Sequence, residues 1–189
     1  MLSVKMNDLA VRALGMVSGP GSMEPPGGLG AGLREYAARG IVRRGEVVTW
    51  ADSTADADNA PSFFPDLTGW ECSDSSFHLE DFVPVDEVII DDQPFIGEDD
   101  QRILLLHGVA LARVIGGLVY ALDPPTPVRC VIGANETDAT FRFHRIRVGE
   151  SWNQPNLDDY RQDKMIVVDT EPADDMGRPW TDRSMEWSP

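Results

Sequence analysis

The residue types that could do chemistry lie in two stretches of the chain. In the first, residues 141–150, strand alternation places Arg142 and His144 on the same face, and Glu150 follows shortly after. A guanidinium, an imidazole and a carboxylate around one pocket could bind a small anionic ligand or carry acid–base chemistry. The alternative is that Arg142, Arg145 and Arg147 pair with the protein's own carboxylates, which are numerous.

The second stretch is acidic. Residues 51–100 contain fifteen carboxylates and neither lysine nor arginine, and they account for almost all of the net charge of −16. Because crowded like charges destabilise a fold, this pattern favours an acidic docking surface for a basic partner. The alternative is a solvated surface that only confers solubility. The predicted docking residues are acids and interleaved aromatic residues: Trp70, Asp74, Glu80, Asp81, Phe82, Asp86, Glu87, Asp91, Asp92, Phe95, Glu98, Asp99 and Asp100.

Motifs for catalysis and for cofactor binding are absent from the sequence. No window matches a nucleophile elbow, an HExxH helix, a P-loop or a glycine-rich dinucleotide loop. Asp56, Asp58 and residues 98–100 resemble oxygen-ligand clusters, but no window completes a calcium loop. The sequence therefore predicts no catalytic residue, no metal and no cofactor.

The charge balance also limits the kinds of partner. Nucleic acids and anionic lipids both require clustered cations, so neither is an expected partner. No uncharged apolar run reaches about 18 residues, and a predicted helix containing Asp8 and Arg12 argues against an export signal. Cys72 and Cys130 lack metal-site spacing, which favours free thiols in a reducing cytoplasm.

The elements that position these residues follow from hydrophobic periodicity, with turn residues between them. Residues 51–76 are predicted to be irregular, pinned to the core by their aromatic side chains. Residues 98–122 are apolar with three acids at the start, which predicts a long buried helix. The remaining expected elements are a helix at 8–17, a short helix at 33–40, a hairpin at 41–50, and strands at 77–85, 86–91, 128–134, 139–148 and 164–170.

These elements predict an α+β fold, in which a mostly antiparallel sheet with irregular loops packs against one long central helix. Residues 1–32 are expected to form a helix and a flexible Gly/Pro-rich loop. Residues 33–170 form the single domain, and residues 171–189 form a loosely held tail.

Small acidic α+β proteins without a catalytic signature resemble, as a class, immunity and antitoxin proteins. That resemblance implies a non-enzymatic inhibitor whose anionic face docks in the basic cleft of a toxin or enzyme and imitates phosphate groups. The alternative hypothesis is a ligand-binding or enzymatic domain that uses Arg142, His144 and Glu150.

Overall fold

The computed structural model describes residues 2–15, 23–90 and 92–170, and it has the predicted α+β architecture. In chain order the elements are β1 (Leu2–Met6), α1 (Asp8–Leu14), α2 (Ala31–Ala37), β2 (Ile41–Arg44), β3 (Val47–Trp50), α3 (Leu67–Ser75), β4 (Phe77–His78), β5 (Glu87–Ile90), β6 (Gln93–Ile96), α4 (Glu98–Tyr120), β7 (Val128–Ala134), β8 (Ala139–Arg145) and β9 (Lys164–Thr170).

Five strands form the main sheet, in the order β1-β9-β7-β8-β4, and every neighbouring pair is antiparallel. Because side chains alternate along a strand, Phe141 and Phe143 of β8 point into the core, with Ile132 of β7. Val131 and Arg142 are register partners and point to the opposite, outer face. The strand pairs β2–β3 and β5–β6 form separate two-stranded hairpins.

The long helix α4 covers the inner face of the sheet. Its first turn carries three acids, which are favourable at the positive end of a helix dipole. Gly108 allows α4 to approach β7, since a Cβ there would lie 2.8 Å from the Ile132 side chain. Within the described part of the chain, α4 alone has the length and hydropathy of a membrane span, and most of it is buried in this core.

The N-terminal segment contributes to the main sheet, which the sequence did not predict. Val4 of β1 pairs with Val168 of β9, so residues 2–15 belong to the same domain as the rest of the sheet. Asn7 fixes the start of α1, because its side-chain oxygen accepts from the Ala10 N–H at 2.9 Å. The helix ends at Leu14 instead of residue 17. The predicted tail at 171–189 lies outside the described residues.

Two further predictions of secondary structure were wrong. Residues 51–76, expected to be irregular, contain α3, which begins where the Asp66 carboxylate accepts from the Gly69 N–H at 2.7 Å. The buried face of α3 includes Thr68 and Ser75, so hydrophobic periodicity does not reveal it. The strand expected at 77–85 is reduced to β4 and is followed by a 3₁₀ turn at Leu79–Asp81.

Candidate functional site

The β5–β6 hairpin is attached to the domain at one end. Its two strands pair with each other and with no other strand of the described chain. The attachment is at Ile96, whose side chain is buried and whose N–H donates to the Glu136 carbonyl at 2.8 Å. Asp92, in the turn between the strands, has a left-handed φ of 62°.

Three consecutive apolar side chains of this hairpin face solvent. Val88, Ile89 and Ile90 are 51%, 66% and 51% exposed. Neighbouring residues on a strand point to opposite faces, so the apolar surface extends over both faces of β5. Contiguous apolar surface of this kind is typical of protein interaction sites, and an exposed strand edge needs protection against unwanted pairing.

Exposed carboxylates adjoin this apolar surface in the chain. Asp86 precedes β5, Asp92 lies in the turn, and Glu98 and Asp99 open α4 directly after β6. None of these four carboxylates forms an ion pair or a hydrogen bond with a side chain of the described residues. We call this set the acidic hairpin face: Asp86, Val88, Ile89, Ile90, Asp92, Glu98 and Asp99.

The environments of five other predicted docking residues differ, and two of the five lie wholly or partly outside the described residues. Asp81 is exposed, and Asp100 and Phe95 are half-buried, with Phe95 paired to Val88 across the hairpin. Glu87 begins β5, but its side chain is outside the described part of the structure, as is the whole of Asp91.

Two predicted docking carboxylates form hydrogen bonds with other residues of the protein. Asp74 accepts hydrogen bonds from the hydroxyls of Thr49 and Ser53, the latter at 2.7 Å. Glu80 accepts from the Ala139 N–H at 3.1 Å and lies 3.2 Å from His78. Asp74 therefore holds two side chains and Glu80 holds the start of β8, roles that the charge pattern alone did not indicate.

The structure places Trp70 far from the acidic hairpin face. Its neighbour Glu71 accepts from the Arg145 N–H at 2.9 Å, at the end of β8. The hairpin is instead bonded to Glu136, in the turn just before the start of β8, where Glu80 accepts from the Ala139 N–H. The length of β8 separates these points by about 20 Å. The predicted docking residues that the structure describes therefore do not form one continuous surface.

The aromatic side chains within residues 51–100 have different environments. Trp70 belongs to a stack in which the ring centroids of Phe63 and Phe64 are 4.5 Å apart and those of Phe64 and Trp70 are 5.4 Å apart. Phe63 is 78% exposed at the end of this stack. Phe82, in contrast, packs on the core with its ring 4.6 Å from that of Tyr36.

Glu71 is part of a buried ionic cluster. Its side chain is fully buried, and its two oxygens accept from the Arg147 guanidinium at 2.7 and 2.8 Å. The same carboxylate accepts from the Val48 N–H at 2.7 Å, so the cluster joins α3, β3 and the segment after β8. Burial raises the pKa of Glu71, and the Arg147 guanidinium opposes that rise.

A second candidate site is a pocket of about 290 Å³ on the outer face of the main sheet, which we call the outer-face pocket. Its floor comes from three adjacent strands, and its walls include Trp152 and Tyr160 from the loop that precedes β9. The Arg142 guanidinium lies 5.1 Å from the centroid of the Trp152 ring. The lining residues are Val131, Gly133, Asp138, Thr140, Arg142, Trp152, Tyr160, Asp163 and Met165.

The structure does not bring Arg142, His144 and Glu150, the predicted ligand-binding residues, together in that pocket. His144 is buried beyond the pocket lining with its Nδ1 2.8 Å from the Arg145 carbonyl, and burial lowers its pKa to about 4. Glu150 accepts from the Thr68 hydroxyl at 2.8 Å and lies 3.9 Å from Arg147. Only Arg142 of the trio lines the pocket.

Asp138 and Asp163 were missed by the sequence analysis. Both are loop acids without a local motif, so nothing in the sequence assigns them to this pocket. Thr140 is different, because strand alternation alone places it beside Arg142. Within the described residues, no cluster of three or more metal-ligating side chains is present.

Comparison with known families places the chain in one of them. The model of the Uncharacterized protein PM0498 family matches residues 28–180, which is most of the sequence. The chain belongs to this family. Both candidate sites lie inside the matched region, whereas β1 and α1 precede it. No curated protein and no solved structure matches the chain.

Proposed function

We propose that this protein is a non-enzymatic binding module of the immunity or antitoxin type, which docks the acidic hairpin face in a basic cleft of a toxin or enzyme. The observation that carries the proposal is the exposed apolar triplet Val88, Ile89 and Ile90 on a hairpin flanked by unpaired carboxylates. An apolar centre with a charged surround is the arrangement expected of a protein–protein contact.

The two kinds of residue have separable roles in this proposal. Burial of the apolar side chains contributes about 25 cal/mol for each Å² removed from water, and this slows dissociation. The carboxylates attract a positively charged partner over a longer range and therefore raise the association rate. The exposed carboxylates of the acidic hairpin face, which have no ion pair among the described residues, support a basic partner over an acidic or neutral one.

The proposed compartment is the cytoplasm. Cys72 and Cys130 are both unpaired and buried, and free thiols of this kind are typical of reducing compartments. A cytoplasmic position would also place the protein where an inhibitor of a nuclease or nucleotide-consuming enzyme must act.

Site-specific photo-crosslinking tests the proposal in cells. A photoreactive amino acid at Ile89 reports on the acidic hairpin face, and one at Val148, which is 73% exposed and lies outside it, is the matched control. We expect position 89 to capture one protein that has a basic cleft and to lose it when Asp86 and Asp92 are changed to Asn. Equal capture from the two positions, or no capture from position 89, would contradict the proposal.

A further inference from the structure

We propose that the outer-face pocket is a binding site for a small zwitterion that carries both a carboxylate and an ammonium group, of which a free α-amino acid is the simplest example. This inference is independent of the acidic hairpin face, because it rests on other residues and on the opposite side of the sheet from α4.

Arg142 supplies the group that would bind the ligand carboxylate. Its guanidinium forms no ion pair and no hydrogen bond with the described residues, although the chain carries twice as many acidic as basic side chains. Stacking against Trp152 restricts the guanidinium while leaving its N–H groups available. A planar guanidinium held in this way can donate two parallel hydrogen bonds to a carboxylate.

Asp138 and Asp163 supply the groups that would bind the ligand ammonium. One oxygen of Asp163 accepts from the Asn135 side chain at 2.9 Å, which orients this carboxylate and leaves its second oxygen available. The Asp138 carboxylate is half-buried and accepts no hydrogen bond from the described residues. Two acids and one arginine disfavour a simple anion, and a simple cation would leave Arg142 without a partner.

The floor of the pocket is suited to an apolar side chain. Val131 and Met165 line it, and Gly133 is the cross-strand partner of Met165, two residues after Val131 on β7. A Cβ at Gly133 would lie 3.3 Å from the Met165 sulfur, so glycine keeps the floor open. A volume of about 290 Å³ is at the small end of the range for ligand sites, which favours a ligand of amino-acid size.

Calorimetric titration of the full chain tests the ligand class. The probes are L-leucine, L-phenylalanine, L-glutamine and L-lysine, followed by the deaminated acid and the decarboxylated amine of the probe that binds most tightly. We expect at least one amino acid to bind, and each single-charge analogue to bind about tenfold more weakly or worse. The proposal is overturned if none of the four binds, or if an analogue binds as tightly as its parent.

Variants then test whether binding occurs in this pocket. R142Q should weaken binding of the amino acid about tenfold or more, whereas R102Q, an exposed arginine on α4, should leave it unchanged. D138N should weaken binding of the amino acid but not of its deaminated acid. Because R142Q could also disturb folding, G133A provides a second test that narrows the floor and retains every charge. Wild-type affinity in both R142Q and G133A would exclude the pocket.

Discussion

At the scale of single residues, the fifteen carboxylates of residues 51–100 do not share one role. Glu71 is buried against Arg147, Asp52 pairs with Arg39 at the surface, and Asp66 caps α3. Asp86 and Asp92 remain exposed on the acidic hairpin face. The composition therefore overestimates the negative charge available to a partner, since some of these carboxylates form ion pairs or helix caps within the protein.

The buried ion pair predicts an unequal response to two arginine substitutions. R147M should lower the free energy of unfolding by about 3–5 kcal/mol, because it leaves the buried Glu71 carboxylate without its partner. R145M, which removes a surface pair with the exposed Glu46, should cost less than about 1 kcal/mol. Urea unfolding of the two variants measures the difference, and equal losses would show that the Glu71–Arg147 pair is not the stabilising contact.

His144 predicts a pH dependence of stability. Burial lowers its pKa to about 4, below the ordinary value of 6.5, so the folded protein holds the neutral imidazole. Between these values the unfolded chain binds a proton that the folded chain excludes, and stability must fall as the pH falls from about 6.5 towards 4. Between pH 7 and pH 5 this one group should cost about 2 kcal/mol.

Comparison with H144Q isolates that contribution from the effect of the other titrating groups. Urea unfolding of both proteins at pH 7 and pH 5 should show the variant gaining about 2 kcal/mol relative to the wild type at the lower pH. If the difference in free energy of unfolding between the two proteins were the same at pH 7 and pH 5, His144 would not titrate as its burial requires.

The sequence predicted some residue roles and could not predict others. Arg142 and Thr140 share a strand face, so alternation alone places them together. Glu71 and Arg147 are far apart in the sequence, and a carboxylate within an acidic run has no local feature that marks it as buried. Asp163 reaches the outer-face pocket through the pairing of β9 with β7, which the sequence does not specify.

At the scale of elements, α4 packs closely on β7 at one glycine and faces open space at another. Substitution of these two glycines by alanine should therefore change the stability of the protein in opposite directions. G108A places a Cβ 2.8 Å from Ile132 and should destabilise the protein by about 1–2 kcal/mol, even though alanine favours helix. G117A meets nothing within 4 Å and should stabilise it by up to about 1 kcal/mol. Chemical denaturation measures both changes. Stabilisation by G108A would contradict the close packing of α4 against β7 at Ile132.

The elements that the sequence predicted best are those with a strong apolar pattern. Helix α4 and strands β7, β8 and β9 are largely buried, so periodicity and β-branched content identified them. Strand β1 was missed because it is short and half-buried at the edge of the sheet, and its stability comes from pairing with β9. Helix α3 was missed because its buried face consists mainly of small and polar residues.

At the scale of the whole molecule, the main sheet separates three surfaces. The acidic hairpin face adjoins the turn between β7 and β8, through the bond from Ile96 to Glu136. The Trp70 stack lies towards the opposite end of β8, and the outer-face pocket lies on the side of the sheet away from α4. The two proposals rest on different side chains, so substitutions can test them separately, although Asp138 of the pocket lies in the same turn as Glu136.

The association rate constant of the protein captured from position 89 tests the central claim most directly. Stopped-flow measurements at low and high ionic strength should show that this rate constant falls steeply with salt for the wild type. It should fall less steeply for a variant with both D86N and D92N. In I89A the dissociation rate should rise while the salt dependence of association is retained. A rate constant independent of salt, or an unchanged salt dependence in the charge variant, would contradict the claim that the acidic hairpin face guides this protein to a basic partner.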